Sequence, residues 1–99
     1  MKYIVRPRAW LDIEETMSYL RDHADEETAI RFWQRTQDTF ALLTRQPGIG
    51  RRRPDLNPPG LRTWRLSGFE NWLVFYGVGE SRVEIFRVKH GMMDLPKLF

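Results

Sequence analysis

The sequence contains no cysteine and only two histidines in 99 residues. A disulfide framework and a thiolate metal site are therefore excluded, and the chain is indifferent to redox compartment. His23 and His90 lie far apart with no His-x-x-x-His spacing, so no metal site is expected. Long apolar runs are also missing: nothing approaches the roughly 20 apolar residues that a membrane helix needs. The stretch from Met1 to Arg6 is too short for the h-region of a signal peptide. A soluble, cytoplasmic protein with no membrane partner is the expectation. There is no glycine-rich strand-to-helix loop, and Gly48-x-Gly50 sits after a helix rather than before one, which excludes P-loop and dinucleotide-binding readings and leaves no cofactor implied. Ser18, Ser67 and Ser81 have no nucleophile elbow around them.

What the chain does have is aromatics and arginine. Four Trp, six Phe and three Tyr can furnish the core of one domain over residues 1–99, because each large ring buries roughly 150–250 Å². The formal charge is +3 with a pI near 9.7, unevenly spread. Residues 1–46 hold seven Lys/Arg against eight Asp/Glu, and residues 47–99 hold nine against five. The second half is thus cationic and suited to acidic partners, whether nucleic acid or an acidic protein segment.

Periodicity divides the chain. Residues 2–6 alternate weakly as a first strand, closed by Pro7. From Ala9 the positions Ala9, Ile13, Thr16/Met17 and Leu20 recur at helical spacing to near His23, with Asp12, Glu14, Glu15 and Asp22 between them. The early acids suit the positive end of the helix dipole. Asp25 is a fitting N-cap for a second helix whose face is Ala29, Phe32, Trp33, Thr36, Phe40 and Leu43, running to about Arg45. The short link predicts an antiparallel hairpin. Residues 46–60, rich in Pro and Gly and carrying Arg51-Arg52-Arg53, read as a mobile loop. Strands over 61–66, 72–78 and 82–88 follow at hairpin spacing and predict an antiparallel meander. The expected class is α+β, with a helix hairpin packed on a mainly antiparallel sheet; the place of the first strand in that sheet stays open.

The candidate site is the cationic sheet. Arg62, Arg87, Lys89 and His90 lie near neighbouring strand ends, with Arg65 on the opposite face of its strand. Each arginine is either an amphipathic stem lying over the sheet or a bidentate anion ligand. Trp64 and Trp72 are either core or stacking platforms for bases.

An ordered set of segments carries a family likeness. Ala9-x-x-Asp12-Ile13-x-x-x-x-x-Tyr19, Ala29-x-x-Phe32, Leu43-x-x-x-Pro47-Gly48-x-Gly50, Gly60-Leu61-Arg62, Val74-Phe75-Tyr76-x-Val78 and Val83-Glu84-Ile85-x-Arg87-Val88-x-His90 together resemble the ParE branch of the ParE/RelE toxin superfamily, over nearly the whole chain. The resemblance implies a toxin of a type II toxin–antitoxin, or plasmid-stabilisation, module. Such a toxin inhibits DNA gyrase and is neutralised by a cognate antitoxin whose acidic or amphipathic C-terminal segment folds on it, giving a hetero-oligomer. The RelE branch instead cleaves messenger RNA on the ribosome; on that alternative Arg62, Arg65, Arg87 and His90 are the catalytic candidates. A non-toxic antitoxin-binding member is a further alternative. Gly91-Met92-Met93-Asp94 stands where nuclease members often carry an arginine, and the tail has no tyrosine, so the ParE branch is preferred and no catalytic residue is assigned. The partner-facing set is then Arg62, Trp64, Arg65, Arg87, Lys89, His90, Met93, Leu95, Leu98 and Phe99.

Overall fold

The computed structural model describes residues 1–91; Met93, Leu95, Leu98 and Phe99 of the expected partner-facing set lie outside them. Strand β1 (Lys2–Val5) leads directly into helix α1 (Pro7–His23). Pro7 ends the strand and occupies the first helical turn, where its missing N–H costs nothing and its fixed φ suits the helix. The helix therefore starts two residues before Ala9, and its first turn contains no acid. The expectation that the early acids serve the helix dipole is corrected accordingly. Asp12 is not on the solvent face at all: it is 2% exposed.

Asp25 caps helix α2 (Glu26–Arg45) by accepting the Thr28 N–H at 2.7 Å. That bond holds its carboxyl below the usual range. Ala29, Phe32, Thr36, Phe40 and Leu43 are buried along one face as the spacing predicts, and Thr39 joins them. Thr36 and Thr39 satisfy their hydroxyls by donating to the carbonyls of Phe32 and Arg35. They can be buried for that reason.

The expected loop contains more structure than its composition suggests. Pro47–Ile49 forms a 3₁₀ turn, and Arg51–Arg52 forms a short strand, β2. Leu56 is buried at 3% exposure against Leu61 and Phe75. Then come β3 (Arg62–Leu66), β4 (Phe69–Val78) and β5 (Arg82–His90). β4 begins three residues earlier than its alternation indicates, because Ser67 and Gly68 alone make the turn. Gly68 has a φ of +78°, which side-chain-bearing residues rarely adopt.

The five strands lie in the order β1-β5-β4-β3-β2, with β1 parallel to β5 and every other pair antiparallel. The first strand is thus an edge. The hairpin covers one face, enclosing Ile13, Phe32, Phe40, Leu66, Val74, Tyr76, Ile85 and Val88. Full burial of each such aliphatic or aromatic side chain contributes about 1.5–3 kcal/mol. A second, smaller cluster of Leu56, Leu61 and Phe75, flanked by Leu73 and Phe86, forms on the other face. No helix among the described residues is long and apolar enough to cross a membrane.

Candidate functional site

β1 pairs with residues Arg82 to Ile85 only, so the outer edge of β5 would be bare from Phe86 onward. Helix α1 lies along that stretch and presents Asp12 to it. One carboxylate oxygen of Asp12 accepts the Val88 N–H at 3.1 Å and the Arg87 Nε–H at 2.8 Å. The other accepts from Arg87 Nη2 at 3.1 Å and lies 3.5 Å from Lys89 Nζ. The side chain stands in for a missing neighbour strand, supplying an acceptor to the exposed ladder. A register shift assists: Tyr76 pairs with Ile85 but Phe75 pairs with Arg87, so Phe86 is an inserted bulge residue that re-aims its successor.

This arrangement revises the expected cation cluster. Arg87 is only 8% exposed, so its guanidinium serves the interior. Lys89 shares the same carboxylate and is half-buried. Arg62 is similarly engaged: its Nη1 donates to the carbonyls of Gly50 at 2.8 Å and Gly48 at 3.2 Å, clamping the 3₁₀ turn. Tyr76 completes that clamp from below, donating its hydroxyl to Pro47 O at 2.7 Å and accepting Gly50 N–H at 2.9 Å. Burial raises the Tyr76 pKa above its ordinary value. Gly50 is required here because a Cβ would meet Tyr76 Cε1 at 2.7 Å and Thr63 O at 2.9 Å.

Two expected residues do come together. β4 separates β3 from β5, yet Arg65 and His90 line one small cleft of about 240 Å³ with Glu70, Asn71, Leu73 and Gly91. Arg65 is exposed, with Nη1 donating to Glu70 O at 3.1 Å. His90 stands edge-on to Trp72, with ring centroids 4.9 Å apart. Trp72 also meets Phe32 and Phe69 edge-on, and Trp64 packs on the helix-side core, so both indoles are anchored half-buried. A second groove, about 350 Å³, runs between α1 and the end of β5, and Glu15, Thr16, Tyr19, Trp72, Lys89 and His90 line it. Tyr19 is 54% exposed there. Within the Arg51-Arg52-Arg53 run, Arg53 makes a two-pronged pair with Asp55 at 3.0 and 2.7 Å. That pairing raises the arginine's pKa and lowers the carboxyl's. Arg51 and Arg52 remain exposed on β2.

Among the described residues no group of three or more His, Asp or Glu side chains is placed to hold a metal ion. The residues that sequence reasoning passed over are Asp12 and Tyr76. Positions 9, 12, 13, 16 and 20 share one helical face. The spacing therefore already placed Asp12 inside, and a buried carboxylate requires a cation.

An edge-covered five-strand sheet under a helix hairpin is the architecture of known toxin structures. The chain superposes on a structure of the chromosomal ParDE toxin–antitoxin system from P. aeruginosa with a TM-score of 0.76, at 20% identity over 91% of this chain and 95% of that one. It also superposes on the YoeB/ParE toxin from Agrobacterium tumefaciens with a TM-score of 0.60, at 21% identity over 91% and 98%. Sequence carries the assignment further. Residues 3–95 match the model of the ParE toxin of the type II toxin–antitoxin system, parDE, and the chain belongs to that family. It is 33% identical to Toxin ParE1 of Caulobacter vibrioides over 93 residues, covering 93% of this chain and 91% of the relative. It is 26% identical to Toxin ParE1 of Mycobacterium tuberculosis over 96 residues, covering 97% and 95%.

Proposed function

We propose that this chain arrests growth in the cytoplasm by binding DNA gyrase, with no catalytic residues of its own, and that a cognate antitoxin neutralises it in a hetero-oligomer. Membership of the ParE toxin family supports the toxin role; the ParE branch implies gyrase as the target. The observation that carries the choice of mechanism is the engagement of the cations. Cleaving a phosphodiester needs a base, a proton donor and cations at the developing charge. Arg87 and Lys89 are committed to Asp12, and Arg62 to the Gly48 and Gly50 carbonyls. The surface that remains, exposed Tyr19 and Arg65 with the half-buried rims of Trp72 and His90, suits protein recognition, where aromatic and arginine side chains are favoured.

One observation favours a second reading. Arg65 and His90 share a cleft, which would serve a ribosome-dependent endoribonuclease as cation and acid–base group. A supercoiling and DNA-cleavage assay with purified gyrase, with and without the antitoxin encoded beside the gene, separates the two. Antitoxin-reversible accumulation of cleaved DNA is the expected result. An unaffected gyrase together with codon-specific cleavage of ribosome-bound message would replace the proposal with the nuclease.

A further inference from the structure

The positive charge of the chain is gathered on one short stretch. Residues 51–65 carry five arginines against one carboxylate, Asp55, a local balance of +4 where the whole chain has +3. The remainder therefore sums to −1. β2 and β3 bring three of those arginines to one place. Arg52 and Arg62 are register partners across the antiparallel pair, so their side chains leave the same face of the sheet side by side. With Arg53 they line a cleft of about 490 Å³ whose other walls include Pro54, Leu61 and Val78. Like charges set directly opposite each other on a sheet are destabilising, and among the described residues no acidic side chain lines this cleft to offset them.

We propose that the cleft binds a backbone phosphate of duplex DNA, so that the toxin grips the DNA held by its gyrase target as well as the enzyme itself. The inference rests on the gyrase reading above. Each arginine keeps donors for an anion. Arg52 is exposed, and its guanidinium makes no hydrogen bond or ion pair with a described residue. Arg62 gives only Nη1 to the Gly48 and Gly50 carbonyls, and Arg53 gives Nε and Nη2 to Asp55. A guanidinium has five N–H donors in a planar fork that matches phosphate oxygens. Arg62 thus retains Nε and Nη2, and Arg53 retains Nη1. The bonds already made hold two of the three heads in place, which reduces the ordering cost when an anion arrives. No aromatic side chain lines the cleft among the described residues, so the anchors favoured at protein interfaces are missing there. Guanidinium charge without such an anchor suits a polyanion bound irrespective of sequence. Histidine, lysine and carboxylate are equally missing from the described walls. A phosphodiester seated there meets no general acid or base and is held rather than cut.

Fluorescence anisotropy of a labelled DNA duplex, titrated with the purified toxin at several salt concentrations, reads the site directly. R52E is compared with R8E, which changes the charge equally at an exposed position on α1. R52E should weaken duplex binding about tenfold while R8E changes it little, and R52A should reduce the slope of log K against log salt by about 1. Equal losses in R52E and R8E, or a wild-type chain that does not bind the duplex, would overturn the cleft. Tighter binding of an RNA duplex of matching sequence would overturn DNA as the source of the phosphate. Gyrase binding measured without DNA separates the proposal from the reading beneath it. The expected R52E variant binds DNA-free gyrase as wild type does, yet accumulates less cleaved DNA; undiminished cleavage would overturn the role of the cleft in the gyrase complex. A wild-type chain that binds the duplex through Arg52 but does not bind gyrase would overturn the gyrase reading and leave the phosphate site standing. Should R52E fail to fold, the salt slope of R52A decides.

Discussion

Replacing Asp12 with alanine is expected to be the most damaging single change in the hairpin. The carboxylate is almost wholly enclosed, its side chain 1% exposed beside an Arg87 side chain at 9%. Alanine removes the counter-charge from beside a buried guanidinium, takes the acceptor from the Val88 N–H and strands the half-buried Lys89 ammonium. Breaking a buried ion pair from one side costs about 3–5 kcal/mol. The lost acceptor of a buried N–H is itself worth about 1–3 kcal/mol. The two overlap at one carboxylate, so about 4 kcal/mol is the expected total, against on the order of 5–15 kcal/mol for a whole domain. Asp12→Asn keeps one oxygen for Val88 and should lose about half as much. The double variant D12L/R87M exchanges the pair for apolar volume and should recover most of the stability lost by D12A. Urea denaturation followed by tryptophan fluorescence reads all three. A D12A variant within about 1 kcal/mol of wild type would mean that the pair behaves as an exposed one, and the account of the β5 edge would be wrong.

Tyr76→Phe leaves Pro47 O and Gly50 N without their hydroxyl partner, and should lower stability by about 1–3 kcal/mol in the same denaturation experiment; no change would show that water substitutes freely. Arg62→Ala should cost about 1–2 kcal/mol through the released turn, and faster amide exchange at Gly50 than in wild type is the confirming sign. For Asp25 the sign follows from a folded-state pKa depressed below 3.8 by the Thr28 bonds. Its contribution is present above that value and fades as pH falls through the lower folded pKa. The thermal-melting gap between wild type and D25A should therefore be full at neutral pH and shrink in strong acid; a gap that widened there would contradict the capping role.

The helices were legible because their signals are local: apolar spacing, an Asp cap and a proline stop each act within a few residues. The meander was legible for the same reason, since its strands alternate and its turns are short. The position of β1 was not, because parallel pairing with β5 joins residues 80 apart in sequence, as Lys2 with Arg82, and nothing near Lys2 encodes it. β2 was hidden among prolines and glycines, since two residues carry no period. The site failed in a particular way. Arg87 and Lys89 do lie near the end of β5, but Arg62 opens β3 beside Tyr76 at the other end of the meander, and whether a cation faces solvent depends on what packs over it. For Arg87 that partner is Asp12, 75 positions away; for Arg62 it is a pair of backbone carbonyls, which sequence does not display.

That division changes how toxicity data should be read. A variant at Arg62 or Arg87 that abolishes growth arrest has two explanations, because each side chain holds the fold together as well as carrying charge. Arg65 and His90 offer a cleaner comparison. Arg65 is exposed and bonds only one carbonyl through the contact described, while His90 sits half-buried at the rim of both the β5 groove and the smaller cleft. Arg65→Ala should keep the melting temperature within a few degrees of wild type, since substitutions away from packed cores usually stay within about 0.5 kcal/mol, whereas His90→Ala also loses the edge contact with Trp72 and should cost about 0.5–1.5 kcal/mol. If the toxin works by binding, His90→Ala should weaken growth arrest in step with gyrase affinity, and His90→Gln, which preserves size and hydrogen bonding, should restore much of it. If the chain is instead a nuclease, glutamine cannot replace the proton-transferring ring, and both histidine variants should be equally inactive. Growth arrest scored for these two variants against gyrase binding and melting temperature therefore separates recognition from chemistry, and an H90Q variant as inactive as H90A at unchanged gyrase affinity would count against the binding mechanism.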